Sequence, residues 1–211
     1  MKVEEIFFRE MYHQICLLKD AALARNFIDL LDMPAGEHLD GLLTYGYIDE
    51  TAGFTFSILG GAQISGERAK IFPINYKEFA LIRRGAADSA ELKIVTAEYA
   101  VAFRDRMAMI NDGYAVDAAK EETRFIKNLD DFRHPNYPDD VAVYFFSANY
   151  KPELMWVRCV SVDENILTGE LLNEPRSDLN VHAGDKIKFG IAQINGQNIL
   201  IHLPTEDNAL A

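Results

Sequence analysis

The stretch Ile166-Leu167-Thr168-Gly169-Glu170-Leu171-Leu172-Asn173-Glu174-Pro175, followed by Val181-His182-Ala183-Gly184-Asp185-Lys186-Ile187-Lys188-Phe189, decides how the second half of this chain folds. Pro175 has no N–H for a strand ladder and holds Glu174 extended, so a strand over 166–172 stops there. Gly169 within that strand marks a bulge or a close approach of two backbones. Asn173 is suited to bond the backbone around the corner. Gly184-Asp185 reads as a second turn, after which Ile187, Phe189 and Ile191 alternate with polar residues as a further strand.

Working outward, Leu154, Trp156, Val160 and Val162 share one face of the preceding segment, and Met155, Val157 and Cys159 share the other. Apolar residues on both faces mean a strand covered on both sides. Asp163-Glu164-Asn165 is a short hairpin loop, with Asn165 suited to a left-handed backbone. Asn195-Gly196, between 191–194 and 199–203, is the strongest short hairpin signal in the chain. Four or five consecutive strands therefore run from 141 to 203 as a small antiparallel, barrel-like sheet.

Three pieces of this region carry a resemblance: Trp156-Val157, Gly169-x-Leu171-x-Asn173-x-Pro175, and Gly184-Asp185-x-Ile187. Ala118-Ala119, Phe125 and Leu129 stand upstream as a preceding helix. Over roughly 112–204 the chain resembles the YegJ-like family of small bacterial domains of unknown function. That family's last strand finishes in Asp-Trp, where this chain has Gln193-Ile194-Asn195-Gly196. The resemblance implies a fold and no activity.

The first half reads as more helical. Val3, Ile6, Phe7, Met11, Ile15 and Leu18 fall at helical spacing, and Asp20 is placed to cap a second helix reaching Leu31. Residues 42–48 suit either a strand or a short helix, and 54–59 a strand. The glycine-rich 60–68 segment lacks the Lys-Ser/Thr of a phosphate-binding loop and the glycine spacing of a dinucleotide site, so it reads as a turn into a strand over 69–74. Further helices are expected over 76–84, from a Thr96 cap to Asp112-Gly113, and over 117–132, with a short strand over 91–95. The expected fold class is α+β: a helix-rich N-terminal half with a few strands, then a helix and the small sheet. The expected organisation is an N-terminal region over 1–111, the β module over 112–204 and a frayed tail over 205–211.

With 211 residues the chain can bury about 70% of its unfolded surface without staples. Its net charge of −12 repels phosphate backbones and anionic lipid, so neither nucleic acid nor membrane is an expected partner. Cys16 and Cys159 lie in apolar patterns and read as buried thiols. Glu4, Glu5, Arg9 and Glu10 interrupt any secretory leader, and the expected compartment is cytoplasmic.

The densest polar cluster holds Asp130, Asp131, His134, Asp139 and Asp140, weak candidates for a metal site. The spacing fits no calcium loop, and with two prolines it reads as an exposed connection. His13, His38, His182 and His202 form no i, i+4 zinc pair, and a Gly-x-Ser-x-Gly elbow is absent. No catalytic residue and no cofactor is therefore expected. The leading reading is a non-enzymatic module that binds a protein partner through Trp156, Asn173, Pro175, His182, Gly184 and Asp185. The alternative is a small-ligand- or metal-binding protein or enzyme with a site between the two halves, built on the 60–68 loop or the 130–140 cluster. The apolar stripe of Phe7, Phe8, Met11 and Tyr12 reads first as core, with a partner groove or homodimer face as the alternative.

Overall fold

Residues Met1–Ala115 and Val116–Ala211 form separate units, and the computed structural model describes residues 1–66, 68–75, 79–95 and 99–204. The first unit carries a six-stranded sheet: β1 (Ile15–Lys19), β2 (Gly41–Asp49), β3 (Gly53–Ser65), β4 (Arg68–Pro73), β5 (Leu81–Arg83) and β6 (Glu91–Ile94). The order is β4-β3-β2-β1-β6, and β5 joins the edge of β3 at Thr55, Phe56 and Ser57.

Both faces of this sheet are covered. Leu42, Ile48, Phe54, Phe56 and Ile58 pack with Cys16 and Leu18 in one core cluster. Leu43, Tyr45, Tyr47 and Leu59 pack with Ile15, Phe103 and Ile110 in another. Every residue of β2 from Gly41 to Ile48 is buried, so the strand shows no alternation of apolar and polar residues to read.

The expected helix-rich N-terminal half is overturned, and the described chain is mostly β. The 3–18 stripe is no helix: it holds a 3-10 turn at Val3–Glu5, one helical turn α1 (Phe8–Met11), and then β1. Between them His13 takes a left-handed backbone (φ 55°), which no helix continues through. Asp20 does cap a helix, its Oδ1 accepting the Ala22 and Leu23 N–H groups at 2.9 Å, but α2 (Ala21–Arg25) ends at Arg25. Gly60 and Gly61 lie inside β3, where side chains would press on the Phe72 carbonyl and on Leu39. Of the expected 76–84 helix, 76–78 are outside the described residues and Leu81–Arg83 is strand. Glu67, the Thr96 cap and the tail 205–211 also lie outside the described residues. The next helices are α3 (Arg104–Gly113) and α4 (Ala118–Arg124); the latter, capped by Asp117, gives way to a 3-10 turn at Lys127–Phe132.

The second unit contains β7 (Arg133–His134), β8 (Tyr137–Phe145), β9 (Glu153–Asp163), β10 (Ile166–Leu171), β11 (Lys186–Ile194) and β12 (Gln197–Leu203). From β8 to β12 each strand pairs antiparallel with the next, and Ile201 of β12 pairs with Tyr144 of β8 in parallel. The parallel closure follows from number. In an up-and-down run of five, the first and last strands point the same way, so the ring shuts only with a parallel pair. Val143, Phe145, Met155, Val157, Cys159, Leu171, Ile187, Phe189 and Leu200 fill the interior.

Local chemistry sets the corners. Asn195 and Gly196 both have positive φ (51° and 80°), as the tight hairpin between β11 and β12 requires. In the β9–β10 loop the left-handed residue is Glu164 (φ 54°), not Asn165. The register of β9 and β10 shifts between Thr168 and Gly169. A β-carbon at Gly169 would collide with the Val157 side chain and the Arg158 carbonyl. Gly169→Ala should therefore cost about 1–3 kcal/mol, measured by denaturant unfolding read from Trp156, the chain's single tryptophan.

Candidate functional site

Between β10 and β11 the chain crosses one end of the second unit as a strap, residues 172–185. Its course is fixed almost entirely by polar side chains bonding backbone. Asn173 Oδ1 accepts the Trp156 N–H at 2.8 Å, and the Leu172 N–H donates to the Trp156 carbonyl at 2.9 Å. The Glu153 carboxylate accepts the Arg176 and Ser177 N–H groups at 2.9 and 2.8 Å. Glu174 accepts the Ala183 N–H at 2.9 Å and lies 2.7 Å from His182 Nδ1. Asp185 Oδ2 accepts the His182 N–H at 2.7 Å, and the Gly184 N–H, at a residue of φ 94°, donates to the Leu171 carbonyl. Val181 is buried in the core beneath.

The structure thus gathers Trp156, Asn173, His182, Gly184 and Asp185 around one strap, with Pro175 half-buried within it. Asn173 Oδ1 is spent on the backbone of β9 and Asp185 Oδ2 on the strap's own backbone, so both act as fasteners. Glu153 and Glu174 do the same work and were not singled out from sequence. A carboxylate's reach to N–H groups eight to twenty-four positions away leaves no local pattern.

Beside the strap lies an exposed apolar strip on the outer face of β8 and β9. Register places Tyr144 opposite Leu154 and Ala142 opposite Trp156. Leu154 is 54% exposed, Phe146 51% and Trp156 38%. His134 stands edge-on to both Trp156 and Tyr137, ring centroids 5.1 Å apart in each case, and Tyr144 lies 6.1 Å from Phe146. Tyr144, Phe146 and Leu154 were missed from sequence. Their period of two with buried Val143, Phe145 and Met155 carried the signal.

The 130–140 cluster is not an exposed connection. Asp139 and Asp140 are buried within β8. Asp139 receives Arg124 Nε at 2.9 Å and Nη2 at 2.8 Å; Asp140 receives Arg158 at 2.7 and 3.0 Å; Asp130 lies 3.6 Å from Arg133. Asp140 raises the Arg158 pKa above its ordinary value through these bonds. Asp131 is exposed, and His134 is committed to the aromatic cluster. Among the described residues no group of three or more His, Cys, Asp or Glu side chains is placed to hold a metal ion. Burial pushes both thiols, Cys16 and Cys159, up to about 12, far from nucleophilic.

Residues 113–201 match the model of a family described as an uncharacterized protein conserved in bacteria (DUF2314). The match takes in α4 and the strands from β7 into β12, and it fits a bacterial domain of unknown function without carrying the YegJ-like name. No curated protein and no solved structure matches the chain. Among the described residues no helix is long and apolar enough to cross a membrane.

The exposed His182–Glu174 pair gives the strap a pH window. The bond to Glu174 raises His182 above 6.5, and the bond to His182 lowers Glu174 below 4.5. The imidazolium's contribution is complete below 6.5 and fades as pH rises through the raised value. The carboxylate's contribution is complete above 4.5 and fades as pH falls through the lowered value. The strap is therefore held best between 4.5 and 6.5. In an NMR titration His182 should titrate above 6.5, and Glu174→Gln should return it toward 6.5 and speed exchange of the Ala183 amide.

Proposed function

We propose that the second unit is a non-enzymatic protein-binding module whose contact surface is the β8–β9 strip and the adjoining strap. The observation that carries this reading is the outer face of β8 and β9, where Leu154 and Trp156 are exposed beside half-buried Tyr144, with exposed Phe146 just past β8, over an inner face that is already packed. A contiguous exposed apolar face of this kind marks an interaction site more often than a bare surface. Tryptophan and tyrosine are the residues most enriched at binding hot spots.

The adjoining strap carries Glu174 and Asp178, Glu153 at the start of β9 fastens it, and the chain as a whole carries −12. The partner that fits is a protein offering an apolar anchor for the strip and a basic rim for the carboxylates. Trp156, Pro175, His182 and Gly184 belong to the contact surface; Asn173 and Asp185 support it by holding the strap. The Cys159 thiol is buried and Asp139 and Asp140 are engaged by arginines, so these side chains serve the fold.

The test is capture of partners by the tagged full chain from lysate of its own cells, repeated with Trp156→Ala and Leu154→Ser. A stoichiometric protein should be retained by the wild type, with Trp156 fluorescence shifting to the blue on binding. Loss of Trp156 should weaken retention by roughly thirtyfold or more, while the melting temperature stays within a few degrees. Equal retention by both variants, or no retained protein, contradicts the reading.

A further inference from the structure

A second site lies wholly within the first unit. A cleft of about 680 Å³ runs beside α3, and its walls include Ile15, Ile94, Val95 and Met107. That volume is in the range of small-molecule pockets, which are mostly apolar with a few convergent polar groups. Here those groups are His13, Gln14, Tyr45, Arg104 and Asn111. We propose that this cleft binds a small organic carboxylate with an apolar or aromatic body, its anionic group held by Arg104 and the Asn111 amide.

The helix supplies one wall by its period. Arg104, Ala108 and Asn111 recur at four and seven positions, so they share one face of α3, while Phe103 and Ile110 turn to the core. Arg104 is exposed and makes no hydrogen bond or ion pair among the described residues. Neither Asp nor Glu lines the cleft among those residues. Among the described residues this is a local cationic point without a carboxylate to occupy it, in a chain of net charge −12.

The opposite wall turns Asn111 into a donor. The Tyr45 hydroxyl donates to Asn111 Oδ1 at 2.9 Å, which occupies the amide oxygen and leaves the NH2 group to face an acceptor. Guanidinium and amide N–H groups together select an anion with several oxygens.

His13 is held at the cleft in a left-handed backbone, a conformation that costs energy for any residue but glycine. Its N–H donates to the Gly46 carbonyl at 2.8 Å, and the Gly46 N–H donates to the Gln14 carbonyl at 3.0 Å. The approach is so close that a β-carbon at Gly46 would collide with the Met11 carbonyl. The His13 ring stacks on Tyr12, centroids 3.9 Å apart, and lies within 5° of parallel to Tyr45 at 6.1 Å. A strained residue fixed by its neighbours, with its ring in an aromatic stack, gives a flat wall for the ligand's body.

The test uses the full chain and two probes of nearly equal shape, 3-phenylpropionate and neutral 3-phenylpropan-1-ol, titrated by calorimetry and saturation-transfer NMR. The acid should bind at least about tenfold tighter than the alcohol. Arg104→Gln, on an exposed helix position, should erase that preference while leaving the alcohol's affinity unchanged. Ala108→Trp, which fills the cleft from the exposed side of α3, should abolish both. Equal affinities in the wild type, a preference that survives in Arg104→Gln, binding that survives in Ala108→Trp, or no binding of either probe at millimolar concentration would each overturn the proposal.

Discussion

Arg124 is fully buried, and the second unit is arranged around keeping its charge satisfied. A guanidinium removed from water is tolerated only where its donors meet acceptors of opposite charge. Two of its nitrogens meet the two oxygens of Asp139, and a third reaches Glu121 at 3.0 Å. Asp139 lies on β8, so the pair fixes α4 against the strand on which the sheet closes. Arg133 reinforces the same corner, its guanidinium donating to the carbonyls of Thr123 on α4 and Pro138 on β8. With β8 placed, the five-strand run has one way to close, and the faces of β8 and β9 are assigned to core or solvent.

The strap inherits that order. Glu153 and Trp156, both on β9, hold its first half through backbone bonds, and Glu174 and Asp185 hold its second half. A surface whose backbone is already bonded loses little freedom when a partner arrives, which favours recognition over folding on binding. The two sites thus contrast. The β8–β9 strip is an exposed, largely apolar strand face. The cleft beside α3 is concave and carries a single arginine.

Much of the second unit was legible because its signals are local. Asn195-Gly196 announces its own hairpin and Gly169 its bulge. In the first unit the same reading failed for a physical reason. Strands β1 and β2 are buried on both faces, so Ile15-Cys16-Leu17-Leu18 and Leu42-Leu43 carry no alternation, and the 3–18 spacing matched a helix by coincidence. The acidic run was read as exposed because its partners, Arg124 and Arg158, stand 15 and 18 positions away. Asn111 and Arg104 lie on a visible helical stripe. That Tyr45 and His13 face it is a consequence of tertiary structure alone.

A double-mutant cycle on Arg124→Met and Asp139→Leu, read by denaturant unfolding of the full chain, tests this dependence most directly. Each single substitution leaves a buried charge without its main partner, Arg124 left facing Glu121 or Asp139 left facing Lys120, and should cost about 3–5 kcal/mol. The double substitution should cost less than the sum by about 2 kcal/mol or more. Single costs below about 1 kcal/mol that simply add would contradict the account.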